Sequence, residues 1–362
     1  MRLAQRPAVW LLIAAGLAAA PGADARVRAP RGIEVGSYAS RMGHPTNLAW
    51  DEAGRVWTTS GGYLASRSDG VWFLPRRGAR PRHVVRRLFQ PLGLTWLGGE
   101  LYVSHMHPYS TSGPHTGRVV AYSEFDGQRF HRSRVVLDRL PVGLHSVDSV
   151  VPGPDGRLYL GIGSRDDARR GASPSASVVS FEPSGADLRV EARGLRNPFG
   201  LAFLPGTSLL LVSDNGRDDL GPRRPPDELN ALDVSQETPD FGFPGCPGRS
   251  PGGCGGTVRP LARLAPHAAA AGVAVAPAFG PYGPSAFVAE NGSTIRGARA
   301  GADVVRVALR GGEDGGEPLR GRRVAFARGF RRYDPVGAGI GPDGALYVTL
   351  NRSGRILRFA PE

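Results

Sequence analysis

Apolar and polar positions alternate along this chain in short runs, and the runs come in pairs. Six times an apolar strand, a Gly- or Asp-rich turn and a second apolar strand ending in small polar residues follow one another. The copies read LAWDEAGRVWTTSGG from Leu48, LTWLGGELYVSHMH from Leu94, VVPGPDGRLYLGIGS from Val150, LAFLPGTSLLLVSDNG from Leu201, VAPAFGPYGPSAFVAENGS from Val273 and AGIGPDGALYVTLNRSG from Ala338. Asp-Gly or Gly-Gly between alternating apolar runs predicts a β-hairpin. Recurrence at roughly 50 residues is the spacing of propeller blades, each a small antiparallel sheet. No segment sustains a 3.6-residue apolar period, and 52 Gly and 32 Pro work against helices. Six copies therefore predict an all-β, six-bladed β-propeller. Residues 33–38 are expected to add a strand to the last blade beside residues 355–359, which removes an open sheet edge. Residues 216–260 and 311–332 lie between copies, are rich in Gly, Pro and charge, and are expected to be loops on one rim.

The first residues read as an export signal. Arg2 and Arg6 precede an apolar stretch from Ala8 to Ala20, and Ala23-Asp24-Ala25 is a small-x-small cleavage pattern. The apolar stretch is too short to span a bilayer. The expected organisation is a signal peptide over 1–25 and one propeller domain over 26–362, in a periplasmic or extracellular protein without stable membrane insertion. Two cysteines, Cys246 and Cys254, are separated by seven residues in a Pro/Gly-rich loop. In an exported chain such a pair predicts a disulfide, whose short loop stabilises by about 2 kcal/mol.

The formal charge is +13. Removing residues 1–25 deletes two Arg and one Asp, leaving 13 − 2 + 1 = +12. Every basic residue is Arg, spread along the chain rather than clustered, which is the signature of a GC-rich genome and not of a nucleic-acid interface. Attraction of an anionic ligand is the more useful consequence of the charge.

Candidate chemistry gathers around the third and fourth copies. His145, in GLHSVDSV, immediately precedes a hairpin, where an imidazole facing the channel can accept a proton from a hydroxyl. Arg196 and Asn197 form an Arg-Asn-Pro turn. Asp214, Asn215, Gly216, Arg217, Asp218 and Asp219 form an acidic Gly-containing loop, and Asp227-Glu228-Leu229-Asn230 follows. So many Asp, Asn and Gly beside apolar strands suit a hard cation, which takes six to eight oxygen ligands including backbone carbonyls. His105, His107 and His115 make a second cluster without a nearby carboxylate or Cys, and read as a rim loop. Ser146, His145 and Asp148 leave a hydrolytic triad open, but neighbours so close in sequence rarely aim at one another, and no G-x-S-x-G elbow is present.

GLRNPFGLAF, SDNGRDDLGPRRPPDELN and DFGFPGC resemble the signature of the soluble quinoprotein glucose/sorbosone dehydrogenase family, as does His145 ahead of GPDGRLYLGIGS. The resemblance is specific over 143–164, 194–246 and 286–296. It implies a propeller binding pyrroloquinoline quinone (PQQ) and Ca²⁺ and oxidising a sugar or related alcohol or aldehyde, with electrons leaving to an unidentified acceptor. It implies His145 as general base, Arg196 as stabiliser of developing negative charge, and Asn197 as a cofactor contact. It places Ca²⁺ on the carbonyls of Gly216 and Arg217, with Asp214 and Asp218 alongside, and cofactor carboxylates near Arg296, Arg331 and Arg332. Relatives often carry Pro at the position of Arg217, Lys near Arg296 and a base at Asp334. A lactonase-type propeller using a carboxylate-held metal and a non-catalytic binding propeller are the alternatives.

Overall fold

The computed structural model describes residues 27–62, 66–108, 115–248, 254–312 and 317–362, so the expected signal segment over 1–25 lies outside the described residues. Six four-stranded antiparallel sheets follow one another around a ring. Blade 1 comprises Pro45–Trp50, Val56–Ser60, Gly70–Leu74 and Arg82–Arg86. Blade 2 comprises Phe89–Leu97, Glu100–Met106, Thr116–Phe125 and Phe130–Pro141. Blade 3 comprises Val147–Pro152, Leu158–Ile162, Ser177–Phe181 and Arg189–Arg193. Blade 4 comprises Pro198–Phe203, Leu209–Asp214, Pro226–Asp233 and Ala262–Pro266. Blade 5 comprises Ala270–Ala276, Ser285–Glu290, Asp303–Arg310 and Arg320–Ala327. Blade 6 takes Pro335–Ile340, Leu346–Leu350 and Arg355–Pro361 from the C-terminus and Ile33–Ala39 from the N-terminus, paired antiparallel from Ile33↔Pro361 to Ala39↔Ile356. The expected ring closure is present. No helix among the described residues is long and apolar enough to cross a membrane.

The strand pairs legible in the sequence are the inner two of each blade. Second strands such as Val56–Ser60, Leu158–Ile162 and Leu346–Leu350 are buried throughout, because neighbouring blades cover both faces. Between blades 1 and 2 the fully buried Trp57 packs against Phe73, Trp96 and Phe125 at centroid distances of 4.4, 5.1 and 4.8 Å. The hairpin turns repeat one device. Gly156 and Gly344 adopt φ of +78° and +73°, and the turn aspartates Asp155 and Asp343 accept the hydroxyls of Tyr159 and Tyr347 at 2.9 and 3.0 Å. Residues 226–233, 262–266 and 320–327, expected in or beside rim loops, are instead outer strands. Exposed Arg263 in the second, exposed Arg320 and Arg322 in the third, and Asp227, Glu228, Asn230 and Asp233 in the first deny each a continuous apolar run.

Each inner strand bulges at the same place, between Pro45 and Leu48, Phe89 and Gly93, Val147 and Val150, Pro198 and Leu201, Ala270 and Val273, and Pro335 and Ala338. At or just before the bulge's end stands Asn47, Gly93, Ser149, Gly200, Gly272 or Gly337, and these six form the waist of the channel. A Cβ at Gly93, Gly200, Gly272 or Gly337 would collide with backbone of the next blade's inner strand. Hydroxyls on the second strands fill the hydrogen bonds that the bulge breaks. Ser213 accepts the Gly200 N–H at 2.9 Å and donates to the Ala271 carbonyl of the next blade at 2.6 Å. Thr349 likewise accepts the Gly337 N–H at 2.6 Å and donates to the Thr46 carbonyl at 3.1 Å. Beyond the waist the channel opens into a cavity of ≈ 390 Å³ lined by Trp50, Trp96 and Phe203 among others.

His105 and His107 do not share a ligand. His105 is buried in blade 2, where its Nε2 accepts the Arg118 Nε–H at 3.1 Å and its Nδ1 bonds the Met106 carbonyl at 3.0 Å. His107 pairs instead with Asp138 at 2.7 Å. Among the described residues no three His, Cys, Asp or Glu side chains converge as a metal site.

Two stability measurements check this reading. Ser213→Ala strands two buried backbone groups and is expected to cost roughly 2–6 kcal/mol in urea unfolding, at about 1–3 kcal/mol per group; a loss below about half a kcal/mol contradicts the stitching role. Burial holds the His105 imidazole down at about 4, against an ordinary 6.5, so the folded state excludes a proton that the unfolded chain binds. Stability is therefore fully present above pH 6.5 and is lost as pH falls towards 4. In His105→Gln the melting temperature should fall less steeply over that window than in the wild type.

Candidate active site

All six inner strands begin at the same rim, and that rim collects the sequence-predicted residues of blades 3 and 4. The Arg-Asn-Pro turn is fixed by Asp214 at the end of the neighbouring strand. Its Oδ2 accepts the Arg196 N–H at 3.0 Å and its Oδ1 accepts the Asn197 N–H at 2.6 Å. Gly194 enters the turn at φ +71°, where any Cβ would meet the Asp240 carboxylate. Burial pushes Asp214 up to about 7 despite these two bonds. Both of its oxygens thus already serve the turn.

The Arg196 side chain is only 3% exposed. Its Nε and Nη2 bond Asp167 Oδ1 at 3.0 and 2.7 Å, Nη2 also bonds Asp218 Oδ2 at 2.8 Å, and Nη1 donates to the Asn215 carbonyl at 3.3 Å. A guanidinium has five N–H groups, so one Nη1 hydrogen is left over. The predicted positive charge is in place, but two aspartates hold it.

The loop from Asp214 to Asp219 folds over this pair. Gly216 donates its N–H to the buried Asp227 at 3.0 Å, while the other Asp227 oxygen accepts the Ala270 N–H at 3.1 Å. A Cβ at Gly216 would press on Pro225 at 2.7 Å. The Arg217 side chain turns outward, bonding Asp219 at 2.6 and 2.9 Å and the Pro244 carbonyl at 3.0 Å. Asp218 spends one oxygen on Arg196 and sets the other 3.4 Å from His267 Nδ1. Among the described residues no backbone donor reaches the carbonyl oxygens of Gly216 or Arg217. Beneath the loop, burial raises Asp227 to about 6 and Glu228 to about 8, and the neighbouring Asp214 carboxyl adds to the rise at Glu228.

His145 sits two residues before the inner strand of blade 3, behind Gly143 and opposite Gly163, where added Cβ atoms would strike Arg165 and His145 itself. Burial and the Arg196 charge both hold its imidazole well below the ordinary value. Its Nε2 is buried without a partner among the described residues, and so are Asn197 Oδ1 and Asp148 Oδ2. The fully buried Asp148 is raised well above the carboxylate range by burial and by the Asp214 charge. Ser146 donates to Gln90 at 3.1 Å rather than to His145, so no hydrolytic triad forms.

The remaining predicted residues stand apart. Arg296 is exposed on the loop after blade 5's second strand. Arg332 is exposed, 5.9 Å from the Tyr333 ring centroid and beside Gly292. Arg331 lines a separate cavity of ≈ 660 Å³ with Arg28 and Arg355 on the outer side of blade 6. Asp334 is buried and bonds the Ser353 N–H at 2.8 Å and the Ser353 hydroxyl. Cys246 and Cys254 form the expected disulfide, with an S–S distance of 2.03 Å. Sequence reasoning passed over Asp167, His267 and Gln90. Asp167 stands in an acidic turn, SRDD, which reads as solvated; only the ring places it against blade 4.

No protein-family profile matches the sequence. An uncharacterised protein of Borreliella burgdorferi is 23% identical over 238 residues, which cover 64% of this chain and 60% of that protein. The match thus spans less than two thirds of the curated relative's length. Solved structures match nearly the whole chain. A calcium structure of a family AA12 carbohydrate-active enzyme from Trichoderma reesei aligns with TM-score 0.73 and 16% identity, over 93% of this chain and 98% of that one. An oxidoreductase designated a glucose dehydrogenase from Thermus thermophilus gives 0.69 and 25%, over 91% and 100%. The PQQ-bound aldose sugar dehydrogenase of Streptomyces coelicolor gives 0.68 and 19%, over 92% and 99%. The chain has the six-bladed propeller fold of the soluble quinoprotein sugar dehydrogenases that its motifs resemble.

Proposed function

We propose that this protein is an exported quinoprotein dehydrogenase that oxidises a sugar or a related alcohol or aldehyde with PQQ and Ca²⁺. The observation that carries the reading is the set of orphaned polar atoms at one rim: His145 Nε2, Asn197 Oδ1 and Asp148 Oδ2 are buried and unpartnered among the described residues. Buried polar atoms cost free energy unless something bonds them, and a polar ligand seated over the channel would offer partners at this rim. The PQQ-bound and calcium-containing propellers of the same fold give the ligand its chemical class.

The residues fit both groups. Gly216 and Arg217 would offer their carbonyl oxygens to Ca²⁺, since no backbone donor among the described residues reaches them. Asn197 and the remaining Arg196 N–H would orient the quinone. When bound, PQQ supplies the electrophile that accepts hydride, with the cation polarising it. His145 is held neutral by burial, so its Nε2 is ready to take the substrate hydroxyl proton without first losing one of its own. Arg196 stabilises negative charge through its field, since its hydrogen bonds are mostly spent on Asp167 and Asp218. The lactonase alternative lacks its donor set, because no carboxylate cluster able to hold a metal forms among the described residues.

Purified protein titrated with PQQ and Ca²⁺, followed by absorbance and by dye reduction across a sugar panel, tests the assignment. His145→Ala should keep cofactor affinity within about threefold and lose on the order of 10²-fold or more in turnover, whereas Arg196→Ala should impair both. Full turnover in His145→Ala removes the imidazole from the mechanism. Because His145 protonates only well below pH 6.5, the acid limb of kcat/KM should lie under that value; a limb at or above it contradicts the buried neutral base.

A further inference from the structure

We infer that Asp167 is the positioning residue of this site, a latch by which blade 3 sets both the Arg-Asn-Pro turn and the candidate cation loop of blade 4. The inference rests on the function proposed above. One carboxylate makes four contacts. Its Oδ1 accepts Arg196 Nε at 3.0 Å, Arg196 Nη2 at 2.7 Å and the Asp218 N–H at 2.8 Å, and its Oδ2 accepts the Asp219 N–H at 2.9 Å.

The position of these bonds matters more than their number. Asp218 and Asp219 directly follow Gly216 and Arg217, the carbonyl pair offered to the cation. Two backbone N–H groups drawn to one carboxylate fix the peptide planes at the end of that pair. The same carboxylate neutralises and aims Arg196, whose charge acts on His145. Charge-assisted bonds of this kind are about twice as strong as neutral ones. Asp218 closes the circuit, joining its own backbone bond to Asp167 with a side-chain bond to Arg196 at 2.8 Å. Asp167 touches neither proposed reactant, so its effect is through geometry. Its neighbour Asp166 differs: its oxygens bond the Ala168 N–H at 3.0 Å and Arg169 Nε at 2.6 Å, inside its own loop. Asp166 is therefore an internal control with the same charge, one residue away.

The test uses the full chain without added PQQ. Hydrogen exchange is measured over residues 194–198 and 215–221, and Tb³⁺ luminescence with Ca²⁺ competition reads the cation loop. Asp167→Asn keeps the shape and weakens the acceptor; it should speed exchange in both segments and weaken Tb³⁺ binding by about tenfold or more, while Asp166→Asn changes neither. Asp167→Glu, which keeps the charge, should restore at least part of the Tb³⁺ affinity. If Asp167→Asn leaves exchange unchanged, the latch is wrong. If exchange rises but Tb³⁺ affinity matches the wild type, Asp167 supports the fold only and the positioning role is overturned. If the wild type itself binds neither Tb³⁺ nor Ca²⁺, the cation reading fails, and Asp167's role at the site fails with it.

Discussion

Six inner strands must pass one another at the waist of a closed ring, and there is almost no room for side chains there. Gly at four of the six waist positions lets the backbones touch. That closeness entails a bulge in every inner strand and a set of broken ladder bonds. Ser213 and Thr349 repair them while tying one blade to the next. The waist is thus a steric constraint first and a hydrogen-bond network second. Neither part tolerates a bulky or purely apolar substitute.

The candidate site follows from the same constraint. Once each inner strand bulges at its start, the residues just before it are released from ladder pairing and gather over the channel mouth. His145 and the Arg-Asn-Pro turn lie in that zone. What keeps them there is electrostatic. Asp214 caps the turn, Asp227 caps the loop, and Asp167 joins blade 3 to both. Burial raises the proton affinity of Asp214 and Asp227 even though both oxygens of each accept backbone N–H groups.

Much of this was legible in the chain, for reasons that differ by element. Paired inner strands announce themselves because blades cover both faces, so Val56–Ser60 or Leu346–Leu350 is buried along its whole length. Asp-Gly turns mark their hairpins. Outer strands such as Arg320–Ala327 face solvent on one side and vanish into a loop-like composition. At the site, GLRNPFGLAF and the acidic loop were visible as motifs, and the structure does bring them together. The sequence alone could not say that Arg196 spends its guanidinium on two aspartates, because Asp167 lies 29 positions away and is ordinary in its local setting. Nor could it say that Arg331 lines a cavity with Arg28 and Arg355 rather than joining His145. Contacts between blades depend on ring geometry, which no local pattern encodes.

The last blade borrows its outermost strand from the opposite end of the polypeptide, and Asn351 bonds the His44 and Gly61 carbonyls at 2.9 and 3.2 Å, across separations of 307 and 290 residues. Such long-range pairing is slow to form and has no meaning for a partly synthesised chain. A ribosome-bound intermediate holds blades but no closed toroid. Closure of the ring is therefore a late event in folding, because it waits on the last strand of the chain to be made.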